Sequence, residues 1–593
     1  MNQTRLMLGN EAVARGLWEA GCRFVSSYPG TPSTEITEYA AHYDLYAEWA
    51  PNEKVAAEAA IGASLAGARA FSGMKHVGLN VAADPLFTAA YTGVNGGLVV
   101  AVADDPGMHS SQNEQDSRHY ARSAKLPMLW PSDSDECLHF TKEAFKLSET
   151  FDTPVLLGLS TRVSHSRSAA KTAEPEPIDL KPYVKYVSKY VMTPAMARGR
   201  HVEVEKRLDA LRAWAETTPL NRVEYHDRTI GVIAGGIAYQ TAHEALGDRA
   251  SYLKIGAIWP LPEEQIRSFA SQVQTLYIIE ELDGFIETHC RALGLNVHGK
   301  ELFSPLGEYT PPMIRAAILN ESNINNNSEF RIPNSELPTR PPVLCPGCPH
   351  RGLFYVLGKM KLTVTGDIGC YTLAASPPLS AMDLCVCMGA SVSSLHGFIT
   401  VRPEMASRTV AVIGDSTFFH SGITGLLDIV YNQSPSTVLI LDNAITGMTG
   451  HQQNPGTGLT LQNKPVPKVD LEALCRGIGV RRVRVVDPFE LKELENVLKE
   501  ELQAPEPSVV IARHPCVLLP SVEKGTAYTV DREVCKNCNA CLRIGCPSIR
   551  GQKTEDRGQR TGTVEIDASL CAGCGLCTRL CKFGAVRSSI HDV

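Results

Sequence analysis

The chain has 593 residues, 44% of them hydrophobic and 20% charged, with a formal charge of −7. That length is too great for one hydrophobic core and predicts roughly three to five domains. The composition excludes a disordered or collagen-like chain. The acidic balance argues against general nucleic-acid binding, which needs clustered Lys and Arg. No apolar stretch reaches the ~20 residues that span a bilayer, and Asn10 and Glu11 interrupt the short apolar run at the N-terminus. Neither a membrane anchor nor a secretory signal is expected, and the expected location is cytoplasmic.

Residues 1–165 alternate short apolar strands with small-residue helices. Arg23-Phe24-Val25-Ser26-Ser27 runs into a Pro/Gly turn, and Leu98-Val99-Val100-Ala101-Val102 into Ala103-Asp104-Asp105-Pro106. This rhythm predicts a parallel α/β domain with functional loops at the strand ends. Residues 166–228 are more charged and read as a helical linker. A second α/β domain is expected over 229–320, opening at Ile230-Gly231-Val232-Ile233-Ala234-Gly235-Gly236. The Asn-, Ser- and Pro-rich stretch 321–342 reads as a linker. A third α/β domain is expected over 343–518. The Cys-rich segment 525–593 is too poor in apolar residues to hold itself together without metal.

Within the third domain, Val410 to Ile413 is an apolar run ending in Gly414-Asp415-Ser416. A helical stripe follows at Ile423, Leu426, Leu427 and Val430, and a second strand, Thr437 to Leu441, ends in Asp442-Asn443. The pattern predicts a βαβ unit with polar groups at both strand ends, where such sheets bind ligands. Asp415 and Asn443 offer hard oxygens suited to octahedral Mg²⁺ on a diphosphate, with a backbone carbonyl near Ile445 as a further ligand. The span resembles the thiamine-diphosphate signature, which usually begins Gly-Asp-Gly and ends Asn-Asn. Ser416 and Asp442 depart from it without removing a ligand. Taken alone, the segment also fits a generic nucleotide-binding loop.

Eighteen cysteines are present, eight of them between Cys535 and Cys581. In a long chain without an export signal, metal ligation is a better reading than disulfides. The order is Cys535-x2-Cys538-x2-Cys541-x4-Cys546-Pro547, then Cys571-x2-Cys574-x2-Cys577-x3-Cys581. Three cysteines at x2 spacing wrap one face of a cubane, and in two-cluster ferredoxins the fourth serves the other cluster. One 4Fe–4S centre is therefore assigned to Cys535, Cys538, Cys541 and Cys581, and the second to Cys571, Cys574, Cys577 and Cys546. The x4 gap and Lys582 after the second run depart from the bacterial pattern. Two structural zinc sites are the alternative.

Thiamine chemistry combined with a ferredoxin-like tail resembles the thiamine-diphosphate-dependent 2-oxoacid:ferredoxin oxidoreductases, and within them the large-subunit branch acting on aromatic 2-oxoacids of the indolepyruvate type. The residues that carry the resemblance span nearly the whole chain. They are Tyr28-Pro29-Gly30-Thr31-Pro32-Ser33-Thr34-Glu35, Asn52-Glu53-Lys54-Val55-Ala56 with Gly62-Ala63-Ser64-Leu65-Ala66-Gly67, and the run from His109 to Arg118. Cys345-Pro346-Gly347-Cys348-Pro349-His350-Arg351 and Gly366-Asp367-Ile368-Gly369-Cys370 complete the set.

The resemblance implies transketolase-like parallel-sheet domains and a small two-cluster ferredoxin-like α+β domain. The aminopyrimidine would sit on the first domain and the diphosphate, at Gly414, Asp415, Ser416, Asn443 and Ile445, on the third. Glu53 matches the carboxylate that activates the pyrimidine, with Glu58 as the other candidate; a solvated helix face is the structural alternative for either. Thr31 and Arg118 resemble the contacts to the substrate carboxylate, although Arg118 also suits a surface ion pair with Asp116 or Glu114. His109 is a candidate for proton movement or a structural histidine. Cys345, Cys348, Cys370 and Cys516 match, in order, the ligands of a third, proximal 4Fe–4S cluster, against the alternative of buried free cysteines.

The activity so implied is oxidative decarboxylation of an aromatic 2-oxoacid, with the thiazolium as electron sink, coenzyme A as acyl acceptor and ferredoxin as electron acceptor. A smaller beta subunit in an (αβ)₂ assembly is also implied. A short 2-oxoacid such as pyruvate, a non-redox decarboxylase, and an electron-transfer subunit with a vestigial thiamine fold are the competing readings.

Overall fold

The computed structural model describes residues 3–175, 177–321, 342–551 and 564–588, together with the backbone of 554–556 and 559–561. The linker expected over 321–342 lies almost wholly outside the described residues. Contacts divide the chain into two compact units, 1–335 and 336–593.

The first unit is built on a seven-stranded sheet. Its order is Ala257–Trp259, Met128–Leu129, Val155–Ser160, Leu98–Asp104, Ala70–Lys75, Phe24–Ser27 and Tyr46–Trp49. Six strands are parallel, and Ala257–Trp259 runs antiparallel to Met128–Leu129. Central strands covered on both faces read as continuous apolar runs: every residue of Leu98–Asp104 is buried. A second sheet holds Thr275–Ile279, Ile230–Ala234 and Ser251–Lys254 in parallel, edged by antiparallel Arg222–Glu224. Ala257–Trp259 thus ties the stretch expected as a second domain into the first sheet. The stretch expected as a helical linker carries the helix Pro194–Ala215 but opens with the strand Arg167–Thr172, paired antiparallel with Gln3–Leu8.

The second unit holds a six-stranded, all-parallel sheet ordered Leu384–Cys385, Thr363–Gly366, Thr409–Gly414, Thr437–Asp442, Ser508–Arg513 and Arg482–Val486. Three neighbouring strands therefore end at Asp367, Asp415 and Asn443 along one edge. The helix after Gly414 is interrupted by a π turn, Phe418–Gly422. In the helix that follows, Ile423–Tyr431, Leu426 and Ile429 are buried while Leu427 is exposed, so the buried face departs from the expected stripe. The tail packs on this unit through a small core that includes Phe489, Ile544, Leu576 and Leu580. Arg579 adds a bidentate pair with Glu490 at 2.6 Å. Among the described residues no helix is long and apolar enough to cross a membrane.

Candidate active site

The strand ends of the first unit carry the four expected catalytic residues, Glu53, Thr31, Arg118 and His109. Glu53 opens the helix Glu53–Leu65, whose N-cap is Asn52; the Asn52 side chain accepts from the Val55 N–H at 2.9 Å. Glu53 is 4% exposed, so it is no solvated helix face. Glu58 occupies that surface role, exposed and paired with Lys54. The Glu53 carboxylate lies over the first turn of the helix His76–Thr92, where a side-chain carbon at Gly78 would come within 2.6 Å of Oε1. Glycine at 78 leaves that carboxylate its place.

Thr31 lies half-buried in the turn after Phe24–Ser27, and its carbonyl accepts from Ser110 Oγ at 3.2 Å. Asp105 holds the 110–111 loop, accepting from Ser110 N at 2.9 Å and Ser111 Oγ at 2.7 Å, and it also accepts from Thr161 Oγ1 at 2.6 Å. His109 stands exposed on this loop, its Nε2 3.5 Å from Glu308.

Arg118 does not offer the free fork expected for a substrate carboxylate. It is 3% exposed and spends its guanidinium inside the protein. Nε and Nη2 donate to the two Asp116 oxygens at 2.8 and 2.6 Å, and Nη1 donates to Glu280 at 2.6 Å. Nη2 also reaches the carbonyls of Glu281 and Asp283, both at 3.1 Å. The pair with Asp116 therefore exists, but as a buried network rather than a surface contact. Burial opposes the charged form of Asp116, yet Arg118 outweighs it and holds that carboxyl below its ordinary range. Nearby Asp104, buried and beside Asp116, is pushed up to about 8. Removing the cation from such a network strands buried carboxylates. Arg118→Gln is expected to lower stability by about 3–5 kcal/mol in denaturant unfolding; a change below about 1 kcal/mol would contradict the network.

In the second unit Asp415 follows Thr409–Gly414 and is 3% exposed. Its Oδ2 accepts from Asn454 Nδ2 at 3.3 Å. Among the described residues no basic nitrogen lies within 4.0 Å of it. Burial, with Asp442 close by, pushes Asp415 up to about 7. A buried carboxylate lacking a cationic partner fits a metal-binding donor set. Gly414 N donates to the Tyr371 hydroxyl at 3.0 Å, and Ser416 Oγ accepts from Thr446 Oγ1 at 2.9 Å. Asn443 and Ile445 are buried on the adjoining loop, with Ile445 N donating to Asn443 Oδ1 at 3.3 Å. Asp442, which departs from the signature, is tied outward to Arg513 at 2.7 Å. Asp367 reads as structural: its carboxylate accepts the N–H groups of Gly389 at 2.9 Å and Ser391 at 3.0 Å.

The cysteines gather in three sets. Cys370 has its thiol pushed up to about 11 by burial and then by neighbouring Cys345 and Cys516. Cys348, buried, feels Cys345 and Cys370. Cys541 has Cys581, Cys535 and Cys538 around it. Cys577, raised to about 12 mainly by burial, is surrounded by Cys574, Cys546 and Cys571. This set lines a partly open pocket that also meets Gly347 and Arg351. Arg351 stands between sets, near Cys345 and Cys348 on one side and Cys546 and Cys574 on the other. Among the described residues, none of the cysteine sets brings its sulfurs all within 4.8 Å of one another. Four thiolates on one zinc, bonded at about 2.3 Å, would stand roughly 3.8 Å apart, so these sets are spread wider than a zinc tetrahedron.

Two parallel-sheet units, one with a buried carboxylate at its strand ends and one with an Asp–Asn edge, fit the fold of thiamine-diphosphate enzymes. Family models agree: "Pyruvate flavodoxin/ferredoxin oxidoreductase, thiamine diP-bdg" matches residues 15–209, and "Thiamine pyrophosphate enzyme, C-terminal TPP binding domain" matches 367–512. The indolepyruvate oxidoreductase subunit IorA of Archaeoglobus fulgidus is 39% identical, over 98% of this chain and 97% of that protein. The same subunit of Pyrococcus horikoshii is 36% identical over 98% and 96%. The 2-oxoglutarate synthase subunit KorA of Methanothermobacter marburgensis is 26% identical over 47% of this chain and 88% of its own length. The chain belongs to the indolepyruvate oxidoreductase subunit IorA family, and it is an enzyme of the 2-oxoacid oxidoreductase class.

Sequence reasoning did not single out Lys75, which ends the strand Ala70–Lys75 and is buried, nor Tyr371 and Asn454. A lysine closing an apolar strand and single polar residues in loops carry no spacing signal. The partners that define Arg118 lie up to 165 residues away.

Proposed function

We propose that the chain oxidatively decarboxylates aromatic 2-oxoacids of the indolepyruvate type to acyl-coenzyme A, passing electrons to ferredoxin. Its thiamine-dependent 2-oxoacid chemistry follows from the family. The aromatic preference rests on the IorA relatives, whose names specify indolepyruvate. When bound, thiamine diphosphate supplies the electron sink and the iron–sulfur clusters supply one-electron acceptors.

The residues then divide the work. Glu53, buried at a helix start, is the carboxylate that holds a proton at the pyrimidine ring. Thr31 presents its hydroxyl to the substrate from the turn above. Arg118 is a positioning residue that keeps Asp116 and Glu280 in place. His109, on the exposed part of its loop, exchanges protons with solvent. Asp415, Asn443 and the Ile445 carbonyl hold Mg²⁺, with Gly414 and Ser416 beside the diphosphate. Cys345, Cys348, Cys370 and Cys516 hold the proximal cluster. Cys546, Cys571, Cys574 and Cys577 hold the second cluster, and Cys535, Cys538, Cys541 and Cys581 the third. A smaller subunit completing an (αβ)₂ complex is part of the same reading, as are coenzyme A and a cytoplasmic location.

The observation that carries this reading is the chain of cysteine sets, with Arg351 near both the proximal and the second set. Asp415→Asn is expected to weaken Mg²⁺-dependent binding of thiamine diphosphate by at least about 100-fold in calorimetry; unchanged affinity would place the metal elsewhere. The function itself is tested by a panel of aromatic and short 2-oxoacids, with coenzyme A, the partner subunit and viologen reduction as readout. Aromatic acids are expected to give the highest kcat/KM. A preference for pyruvate would favour the short-acid reading.

A further inference from the structure

Lys75 ends the strand Ala70–Lys75 and is the N-cap of the 17-residue helix His76–Thr92. It is only 9% exposed. Buried ammonium groups are ordinarily paired with a carboxylate. Yet among the described residues no carboxylate oxygen lies within 4.0 Å of its Nζ. Among the described residues its one polar contact is the Ser110 carbonyl at 3.1 Å. Asp105 and Glu53 face it from farther off, and Asp105 already accepts from Ser110, Ser111 and Thr161. Burial pulls the ammonium below its ordinary range, the state of a cation short of an anion.

The neighbours of Lys75 are the turn and loop of the candidate site. Its stem packs under Gly30, where a side-chain carbon would come 3.3 Å from Cγ and Cδ. Ser110 bridges the two elements, giving its carbonyl to Lys75 and its hydroxyl to the Thr31 carbonyl. Beside it, His76 is 1% exposed, and among the described residues neither ring nitrogen meets a partner in hydrogen-bonding geometry, although Asn113 lies close. The first turn of the helix presents its positive end to the same spot. Arg118, by contrast, has its fork taken up within the protein.

We propose that Lys75, rather than Arg118, is the cation that binds the carboxylate of the 2-oxoacid, together with Thr31 on the turn above it. This rests on the function proposed above and names the residue that anchors its substrate.

The test uses the holo complex with its partner subunit and two probes. 3-Phenylpropionate carries the carboxylate without the keto group, and 3-phenylpropionamide is its neutral counterpart. Wild type is expected to favour the acid over the amide by about 100-fold in calorimetry. Lys75→Gln is expected to bind the two alike and to lose about 100-fold in kcat/KM for the 2-oxoacid. Cluster absorbance and thiamine diphosphate content should match wild type. Lys75→Met, which keeps the stem under Gly30, repeats the test should the glutamine variant fail to fold. If wild type turns over 2-oxoacids and a folded Lys75 variant keeps the preference for the acid, this proposal alone is overturned. If wild type turns over no 2-oxoacid, the functional reading beneath it falls as well.

Discussion

Glutamine in place of Glu53 is expected to reduce turnover about a thousandfold, with cluster absorbance and cofactor binding intact. The substitution keeps the size of the side chain and removes the carboxylate proposed to hold a proton at the pyrimidine ring. It also keeps the group that Gly78 accommodates, so a folding defect is not expected. Stopped-flow turnover in the reconstituted complex, alongside calorimetric binding of thiamine diphosphate, separates the two effects. Retained turnover would move the role to another carboxylate. Exposed Glu58, already paired with Lys54, is poorly placed to take it over.

Cys546→Ala is expected to have an effect of similar size on a different step. Cys546 belongs to the set that meets Gly347 and Arg351, next to the proximal cysteines. Its loss should remove one cluster, about four iron atoms per chain, and interrupt the route between the proximal cluster and the outer one. The 2-oxoacid should still reduce the proximal cluster in a single turnover, whereas reduction of external ferredoxin should fall to background. Iron analysis and stopped-flow absorbance report both. Undiminished ferredoxin reduction would mean that electrons leave by another path.

How far these residues could be read in advance depended on the range of the interactions that place them. The βαβ unit around Asp415 was legible because a buried parallel strand is a plain apolar run and its ligand edge follows immediately in sequence. The spacing of the tail cysteines was legible as a motif, and the structure places Cys581 near Cys541 and Cys546 near Cys577. The helical stripe after Gly414 was legible in outline, but not which side of it meets the core: Ile429 is buried and Leu427 faces solvent.

Non-local pairing was not legible. The strand Ala257–Trp259 joins a sheet built mostly from residues before 161, and the strand Arg167–Thr172 closes on the N-terminus. For Arg118 the resemblance implied a substrate contact, and local sequence offered only Asp116 and Glu114 as other partners, not the distant Glu280. Lys75 carried no local signal, since its burial beneath Gly30 and Ser110 depends on two loops that local pattern does not join.

One measurement bears most directly on the wiring of carbon chemistry to iron–sulfur clusters within this polypeptide. The anaerobic holo complex, containing bound thiamine diphosphate and iron, is mixed with indolepyruvate and coenzyme A while visible absorbance is followed. The expected result is rapid bleaching of the brown absorbance, restored on adding oxidised ferredoxin. Absorbance left unchanged by any 2-oxoacid, in protein shown to carry both cofactor and clusters, would contradict it.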